Sequence, residues 1–163
     1  MDPAAIYRSE SDALFRYLVR LTGDSDLAAD LLQETFLLLV RKPPTSSENL
    51  KGWLFRVATN RLRDHARKGK RRLALVAQGA GAEALGDPPP GPDEAVMVWE
   101  ERGVVQRALD RLPLRDRTIL LMREEGFRHR EIAETVGTTT GSVGTLIARA
   151  LDRVRKELEA YHE

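Results

Sequence analysis

The residues of this chain with the clearest chemical role are a cluster of basic side chains. Residues 51–72 hold nine Lys and Arg side chains against one acid and carry a net charge of +8. On a helix, Arg56, Asn60, Arg63 and Arg67 would project to one side, at spacings of four, three and four residues. Such a stripe can follow a line of phosphates, and the amide among the cations can read a base. A solvated helix face is the alternative, but a solvated face normally mixes charges, so the segment predicts a polyanionic partner.

A second candidate site is a helix-turn-helix near the C-terminus, over residues 131–143. Gly137 can adopt a positive φ in the turn without steric cost, and Ala133 is small where two helices would cross. In the helix that follows, hydroxyls and an arginine share the outer side, which suits the major groove of DNA. The outer residues are Ser142, Thr145, Arg149 and Lys156, and the predicted buried stripe is Val143, Ile147, Ala150, Leu151, Val154 and Leu158. An ordinary amphipathic helical hairpin is the alternative, although it requires neither the glycine turn nor the short first helix.

Three acids form a third candidate site, for a protein partner. Asp26, Asp30 and Glu34 stand at i, i+4 and i+8, on one face of a predicted helix with no base between them. Each like-charged pair costs about 0.2–0.5 kcal/mol of helix stability. An uncompensated stripe of this kind favours docking onto a basic protein surface.

Composition excludes or disfavours several other kinds of site. The chain of 163 residues has no cysteine, which excludes disulfides, thiolate metal sites and cysteine nucleophiles. Its histidines, His65, His129 and His162, are too scattered for a metal or acid–base cluster, so we expect no enzyme, no cofactor and no metal. No apolar run approaches the ~20 residues that span a bilayer, and residues 1–10 lack the apolar region of a signal peptide. The expected location is cytoplasmic, without membrane insertion.

The elements that position these residues are all helical, because no stretch alternates as a strand would. Helices are predicted over residues 4–21, 25–40, 50–68, 93–112, 115–125, 128–136 and 142–160. Asp24 or Ser25 caps the second helix, and Gly69 interrupts the basic cluster just after the predicted end of the third helix. In the third helix, Trp53 is predicted to pack in the core rather than to stack on a base, and His65 is predicted to be a buried or half-buried core residue without a catalytic role.

Glycine and proline divide the chain into two parts. Residues 74–92 contain four glycines and four prolines, the composition of a flexible linker. We therefore expect an all-α fold of two small helical domains, residues 1–73 and 93–163. The net charges of residues 1–50, 51–72, 73–100 and 101–163 are −3, +8, −5 and +1. The near-neutral total of +1 thus conceals one intensely basic segment.

Together these motifs resemble the bacterial extracytoplasmic-function (ECF) sigma factors, the small two-domain specificity subunits of RNA polymerase. The likeness covers nearly the whole chain. It rests on Thr22–Phe36, Trp53–Asn60, Leu112-Pro113, Glu131–Glu134 and Gly141–Ala150.

The resemblance implies a role for each candidate site. The acidic helix would bind the clamp helices of core RNA polymerase through Asp26, Leu27, Asp30, Leu31, Gln33, Glu34 and Phe36. The basic helix would hold the single-stranded minus-ten element, with Asn60 capturing a flipped base beside Arg56, Arg63, Arg67, Lys68, Arg71 and Arg72. The helix-turn-helix would read the minus-thirty-five element as duplex through Arg128, Thr139, Thr140, Ser142, Thr145 and Arg149.

The partners that the resemblance implies are core RNA polymerase, including its flap region, promoter DNA and an anti-sigma factor. The predicted function is promoter recognition and melting for transcription initiation, without catalysis by this chain. Two other classes stay open. One is a helix-turn-helix repressor that binds duplex operators as a dimer without polymerase, and the other is an enzyme such as a nuclease, which the scattered histidines disfavour.

Overall fold

The computed structural model describes residues 1–76 and 103–162 of the chain. All regular structure in these two ranges is α-helical, which confirms the predicted fold class. The helices are α1 Pro3–Thr22, α2 Ser25–Arg41, α3 Leu50–Val76, α4 103–110, α5 Leu114–Glu124, α6 His129–Val136 and α7 Thr140–His162.

The chain divides into two compact units, one built mainly on α1–α3 and the other on α4–α7. The predicted linker, residues 74–92, falls almost entirely outside the described residues, as does the start of the helix predicted from residue 93. The domain boundaries therefore stay predictions.

The N-terminal unit has a core of apolar side chains from all three of its helices. These buried residues are Leu14, Tyr17 and Leu18 of α1, Ala28, Leu31 and Leu39 of α2, and Leu54, Phe55, Ala58 and Leu62 of α3. They recur at the three- and four-residue spacings that place side chains on one face of a helix. The rings of Tyr17 and Phe55 lie 4.8 Å apart at the centre of this core.

The start of each of the next two helices is defined by a polar side chain. Asp24 caps α2, because its carboxylate accepts hydrogen bonds from the backbone N–H groups of Asp26 and Leu27 at 3.0 and 3.1 Å. Asn49, at a φ of 56°, places its Oδ1 3.3 Å from the Gly52 nitrogen at the start of α3. A Cβ on Gly52 would stand 2.5 Å from Asn49 Nδ2, so a larger residue at position 52 would displace the Asn49 side chain from this cap.

The predicted end of the third helix at Lys68 is wrong. The helix continues through Gly69 to Val76. A glycine inside a helix costs only about 1 kcal/mol relative to alanine, and the Lys, Arg, Ala and Leu residues that surround it are strong helix formers.

The C-terminal unit packs α5, α6 and α7 around a small core. Its buried apolar residues are Ala108, Leu109, Leu112, Ile119, Leu121, Met122, Ile132, Ala133, Val143, Ile147 and Ala150. In the turn between α6 and α7, Gly137 has a φ of 76° and donates its N–H to the Ala133 carbonyl. This left-handed conformation favours glycine, and the turn predicted at Gly137 is confirmed.

A nearly buried carboxylate ties α5 to α7. The side chain of Asp116 is 5% exposed, and Arg153 of α7 donates a hydrogen bond to it. A carboxylate removed from water is costly unless it is paired. The bond therefore constrains how α7 lies on α5.

One member of the predicted buried stripe of α7 is misplaced. Leu151 is 47% exposed, and Val154 and Leu158 are half-buried. Leu151 stands at the edge of the predicted arc, and α7 has 23 residues where α5 has 11 and α6 has 8. The two shorter helices cover a narrower and shorter strip of α7 than its apolar pattern indicates.

Candidate nucleic-acid interface

The basic stripe lies on the side of α3 that faces away from the core. Asn60, Arg67 and Lys68 are exposed, and Arg56 and Arg63 are half-buried. From Arg56 to Arg67 the stripe covers about 16 Å along the helix axis, at ~1.5 Å per residue. Arg71 and Arg72 fall in the last turns of α3, where only the backbone is described. The sequence periodicity predicted that these side chains share one face of α3, and the burial of the opposite face agrees with that prediction.

Two residues of α3 differ from their predicted environment. Trp53, predicted to pack in the core, is half-buried. His65, predicted to be buried or half-buried, has a side chain 41% exposed, with Nε2 3.2 Å from Glu34 Oε1 on α2. Leu62 is the last buried apolar residue of α3 among those whose side chains are described, so at His65 the helix has already passed the core.

The outer face of α2 carries the predicted protein-binding residues, with one exception. Asp26, Asp30 and Gln33 are exposed, and Leu27, Glu34 and Phe36 are half-buried. Leu31 is fully buried, so it packs in the core and is not on the surface of this unit. Glu34, expected to be uncompensated, lies beside His65 instead.

Sequence reasoning missed two apolar residues on the same outer face of α2. Leu37 is 45% exposed and Val40 is 61% exposed. The sequence did contain a signal for this apolar surface, because all five residues from 36 to 40 are apolar. A helix in a three-helix unit buries only part of its circumference, so some of these side chains must be exposed. The face is therefore acidic at its start and apolar at its end, a combination that suits a protein partner.

The outer side of the helix-turn-helix is polar, as predicted. Thr139, Thr140, Thr145, Arg149 and Arg128 are exposed, and Ser142 is half-buried. The hydroxyls of Thr139 and Ser142 are 2.7 Å apart at the start of α7. The core side of α7 is formed by Val143, Ile147 and Ala150, which are all buried. This arrangement gives α7 an apolar back and a front that can enter a groove of DNA.

Two further candidates stand next to Arg128 at the start of α6. His129 and Arg130 are both exposed. His129 Cε1 is 3.9 Å from the position that a Cβ on Gly144 would take, so the imidazole lies beside the first turns of α7. In helix-turn-helix proteins the first helix crosses the DNA backbone, where a cationic side chain can contact phosphate. His129 and Arg130 directly follow Arg128 in the sequence, and this adjacency could have identified them as candidates.

Within residues 1–76 and 103–162, no group of three His, Asp or Glu side chains is placed to hold a metal ion. In the same ranges, no helix has the length and apolarity required to cross a membrane.

Comparison with known proteins identifies both units. Residues 6–72 match the family model for Sigma-70 region 2, and residues 102–154 match that for Sigma-70, region 4. The chain is 30% identical over 159 residues to the ECF RNA polymerase sigma factor SigW of Bacillus subtilis, an alignment that covers 90% of this chain and 83% of SigW. The chain belongs to the ECF sigma factors. This sigma factor is also 29% identical over 155 residues to the ECF RNA polymerase sigma factor SigE of Mycolicibacterium smegmatis, of whose length it spans 60%.

A solved structure agrees with this assignment. The sigma factor RpoE of Bartonella quintana, in complex with the anti-sigma factor NepR, is similar to this chain with a TM-score of 0.72 and 25% sequence identity. The match covers 91% of each chain. Sigma factors bind core RNA polymerase and promoter DNA, so transcription initiation, the function predicted from the sequence, is confirmed at this level. A helix-turn-helix repressor that acts without polymerase is not favoured.

Proposed function

We propose that this ECF sigma factor opens promoters through three surfaces with separate tasks. The outer face of α2 docks on the clamp helices of core RNA polymerase, α3 holds the single-stranded minus-ten element, and α6 with α7 reads the minus-thirty-five element as duplex. The observation that carries the proposal is the stripe on α3, where Arg56, Asn60, Arg63 and Arg67 lie opposite a buried apolar face.

Promoter melting requires that separated bases gain new partners. Unstacking and unpairing a base costs a few kcal/mol. Asn60 offers amide donors and acceptors to the edge of a flipped base, and the arginines on either side hold the phosphates of the same strand. Capture of this kind stabilises the open state without breaking a covalent bond, so the chain itself catalyses no reaction. Polymerase supplies the chemistry, and the sigma factor acts in the cytoplasm with it.

The two domains are proposed to comprise residues 1–73 and 93–163, with residues 74–92 as the linker between them. The flap region of polymerase binds the second domain and holds it at the distance of the upstream promoter element. An anti-sigma factor is a further proposed partner, because the similar RpoE structure is a complex with one. The exposed Leu37 and Val40 on α2 are apolar surface that such a partner covers.

Polymerase docking is tested by charge reversal on α2. Asp30→Lys and Glu34→Lys are compared with Asp12→Lys, a matched reversal at an exposed position on α1. Fluorescently labelled chain is titrated with core RNA polymerase. We expect Asp30→Lys to weaken binding about three- to tenfold, since rim charges contribute roughly 1 kcal/mol each. Asp12→Lys should leave the affinity unchanged.

The same complexes then test promoter opening. The template is a promoter fragment selected by the polymerase complex from randomised duplexes, with 2-aminopurine in the non-template minus-ten strand. The Asn60→Ala variant should bind polymerase with wild-type affinity but should not show the rise in 2-aminopurine fluorescence that accompanies promoter opening. Equal polymerase affinity for Asp30→Lys and wild type would refute the docking surface, and full opening by Asn60→Ala would refute the base-capture role.

A further inference from the structure

A buried polar contact in the N-terminal unit joins α1 to α3. Tyr17 is 1% exposed and Thr59 is fully buried. Tyr17 Oη lies 2.8 Å from Thr59 Oγ1, and Thr59 Oγ1 lies 2.7 Å from the carbonyl oxygen of Phe55. A threonine hydroxyl has one proton to donate. Both bonds therefore form together when Thr59 donates to the Phe55 carbonyl and Tyr17 donates to Thr59.

This contact differs in kind from the apolar packing around it. Leu54, Ala58 and Leu62 hold α3 in the core by burial, which has no preferred direction. A core of apolar side chains loses uniqueness of packing before it loses stability, because near-equivalent arrangements bury similar areas. A buried hydrogen bond between fixed atoms selects one arrangement. The Tyr17–Thr59 bond thus specifies the rotation of α3 about its own axis.

The rotation of α3 decides where its outer stripe points. Asn60 directly follows Thr59, and Arg56 and Arg63 stand within one turn of it. Side chains extend to about 5–6 Å from a helix axis, so a rotation of 20° moves their tips by about 2 Å. Base capture tolerates less than this, since functional groups must be held to within about 0.5 Å and 10–20°.

We propose that Tyr17 is a positioning residue for promoter opening. Its hydroxyl, acting through Thr59, sets the rotation of α3 and thereby aims Asn60 and the flanking arginines at the unwound strand. The inference rests on the proposed function, in which Asn60 captures a base. It adds Tyr17, a buried residue that touches neither DNA nor polymerase and lies 42 positions before Thr59 in the chain.

Four variants of the full chain, each assembled with core polymerase, separate positioning from stability. Tyr17→Phe and Thr59→Val each remove one partner, Thr59→Ser keeps the hydroxyl, and Tyr17→Phe/Thr59→Val removes both. A buried polar group left without its partner is costly, whereas replacement of both partners by apolar groups of the same shape is nearly neutral. The double variant therefore regains stability without regaining the directional bond.

Three measurements are made on every variant: melting temperature, affinity for core polymerase and 2-aminopurine fluorescence on the selected promoter fragment. Loss of one buried hydrogen bond corresponds to about a three- to tenfold change in an equilibrium. We expect Tyr17→Phe and Thr59→Val to lower open-complex occupancy by that factor, with polymerase affinity unchanged within twofold. Thr59→Ser should restore opening. The double variant should melt near the wild-type temperature and still open poorly.

The outcomes distinguish this inference from the function on which it rests. Normal opening by the double variant would show that the contact serves stability alone and would overturn the positioning role. The same conclusion follows if Asn60→Ala opens poorly and the Tyr17 and Thr59 variants open normally. Normal opening by Asn60→Ala would instead overturn base capture, and the positioning role with it.

Discussion

Arg63 and Arg67 on α3 are proposed to hold phosphates of the single-stranded minus-ten element. The perturbation is their joint replacement, Arg63→Ala/Arg67→Ala. The matched control is Arg8→Ala/Arg16→Ala, which removes the same charge from two exposed positions on α1. Both changes lie in the same structural unit, so a general effect of net charge would appear equally in the two variants.

The magnitude follows from counterion release. Each phosphate neutralised on a single strand contributes about 0.7 to the slope of log affinity against log salt concentration. Removal of two contacts should therefore make the slope less steep by about 1.4. Between 50 and 200 mM salt, a fourfold range, the wild type should lose about sevenfold more affinity than the double variant.

The assay is equilibrium binding of the preformed polymerase complex to the non-template strand of the selected promoter fragment, at four salt concentrations. The control should reproduce the wild-type slope. Melting temperatures check that loss of the half-buried Arg63 stem leaves the unit folded. Equal slopes for wild type and Arg63→Ala/Arg67→Ala would show that α3 does not follow the phosphates, whatever happens to the absolute affinity.

Two further predictions concern the C-terminal unit. Asp116→Asn weakens the bond with Arg153 inside the unit and should lower the free energy of unfolding, measured by urea titration, by about 2–3 kcal/mol. The control Asp152→Asn, at an exposed ion pair on α7, should not change the free energy of unfolding measurably. Equal effects of the two substitutions would contradict the structural importance of the buried pair. Gly137→Ala forces alanine into the left-handed region and should cost about 1–2 kcal/mol, whereas Gly69→Ala, inside α3, should stabilise by up to about 1 kcal/mol. Thermal melting measures both, and a neutral Gly137→Ala would contradict the turn geometry.

Much of the fold was accessible from local sequence. The cap at Asp24, the turn at Gly137 and the shared face of the α3 stripe each depend on residues within one or two turns of one another. Hydrophobic periodicity likewise reports which face of a helix is apolar, because that pattern is a property of the helix alone.

The errors about burial share one cause. His65 and Leu151 both lie on apolar sides of their helices, yet His65 is paired with Glu34 at the surface and Leu151 is 47% exposed. Conversely, Leu31 was predicted as a contact residue and is fully buried. The apolar face of a helix shows which side chains could be buried. The lengths and positions of the neighbouring helices decide which of those side chains are in fact buried.

The sequence by itself indicated the family through the resemblance of its motifs. It also determined the all-helical fold class and the concentration of positive charge on one side of α3, since these follow from residue types at short spacings. Only the tertiary structure decided how that side is aimed. The bond between Tyr17 and Thr59 joins residues 42 positions apart, and no periodicity within either helix predicts it. Directional contacts between distant segments form only once the chain has folded, because they require atoms of separate helices to meet at hydrogen-bond distance.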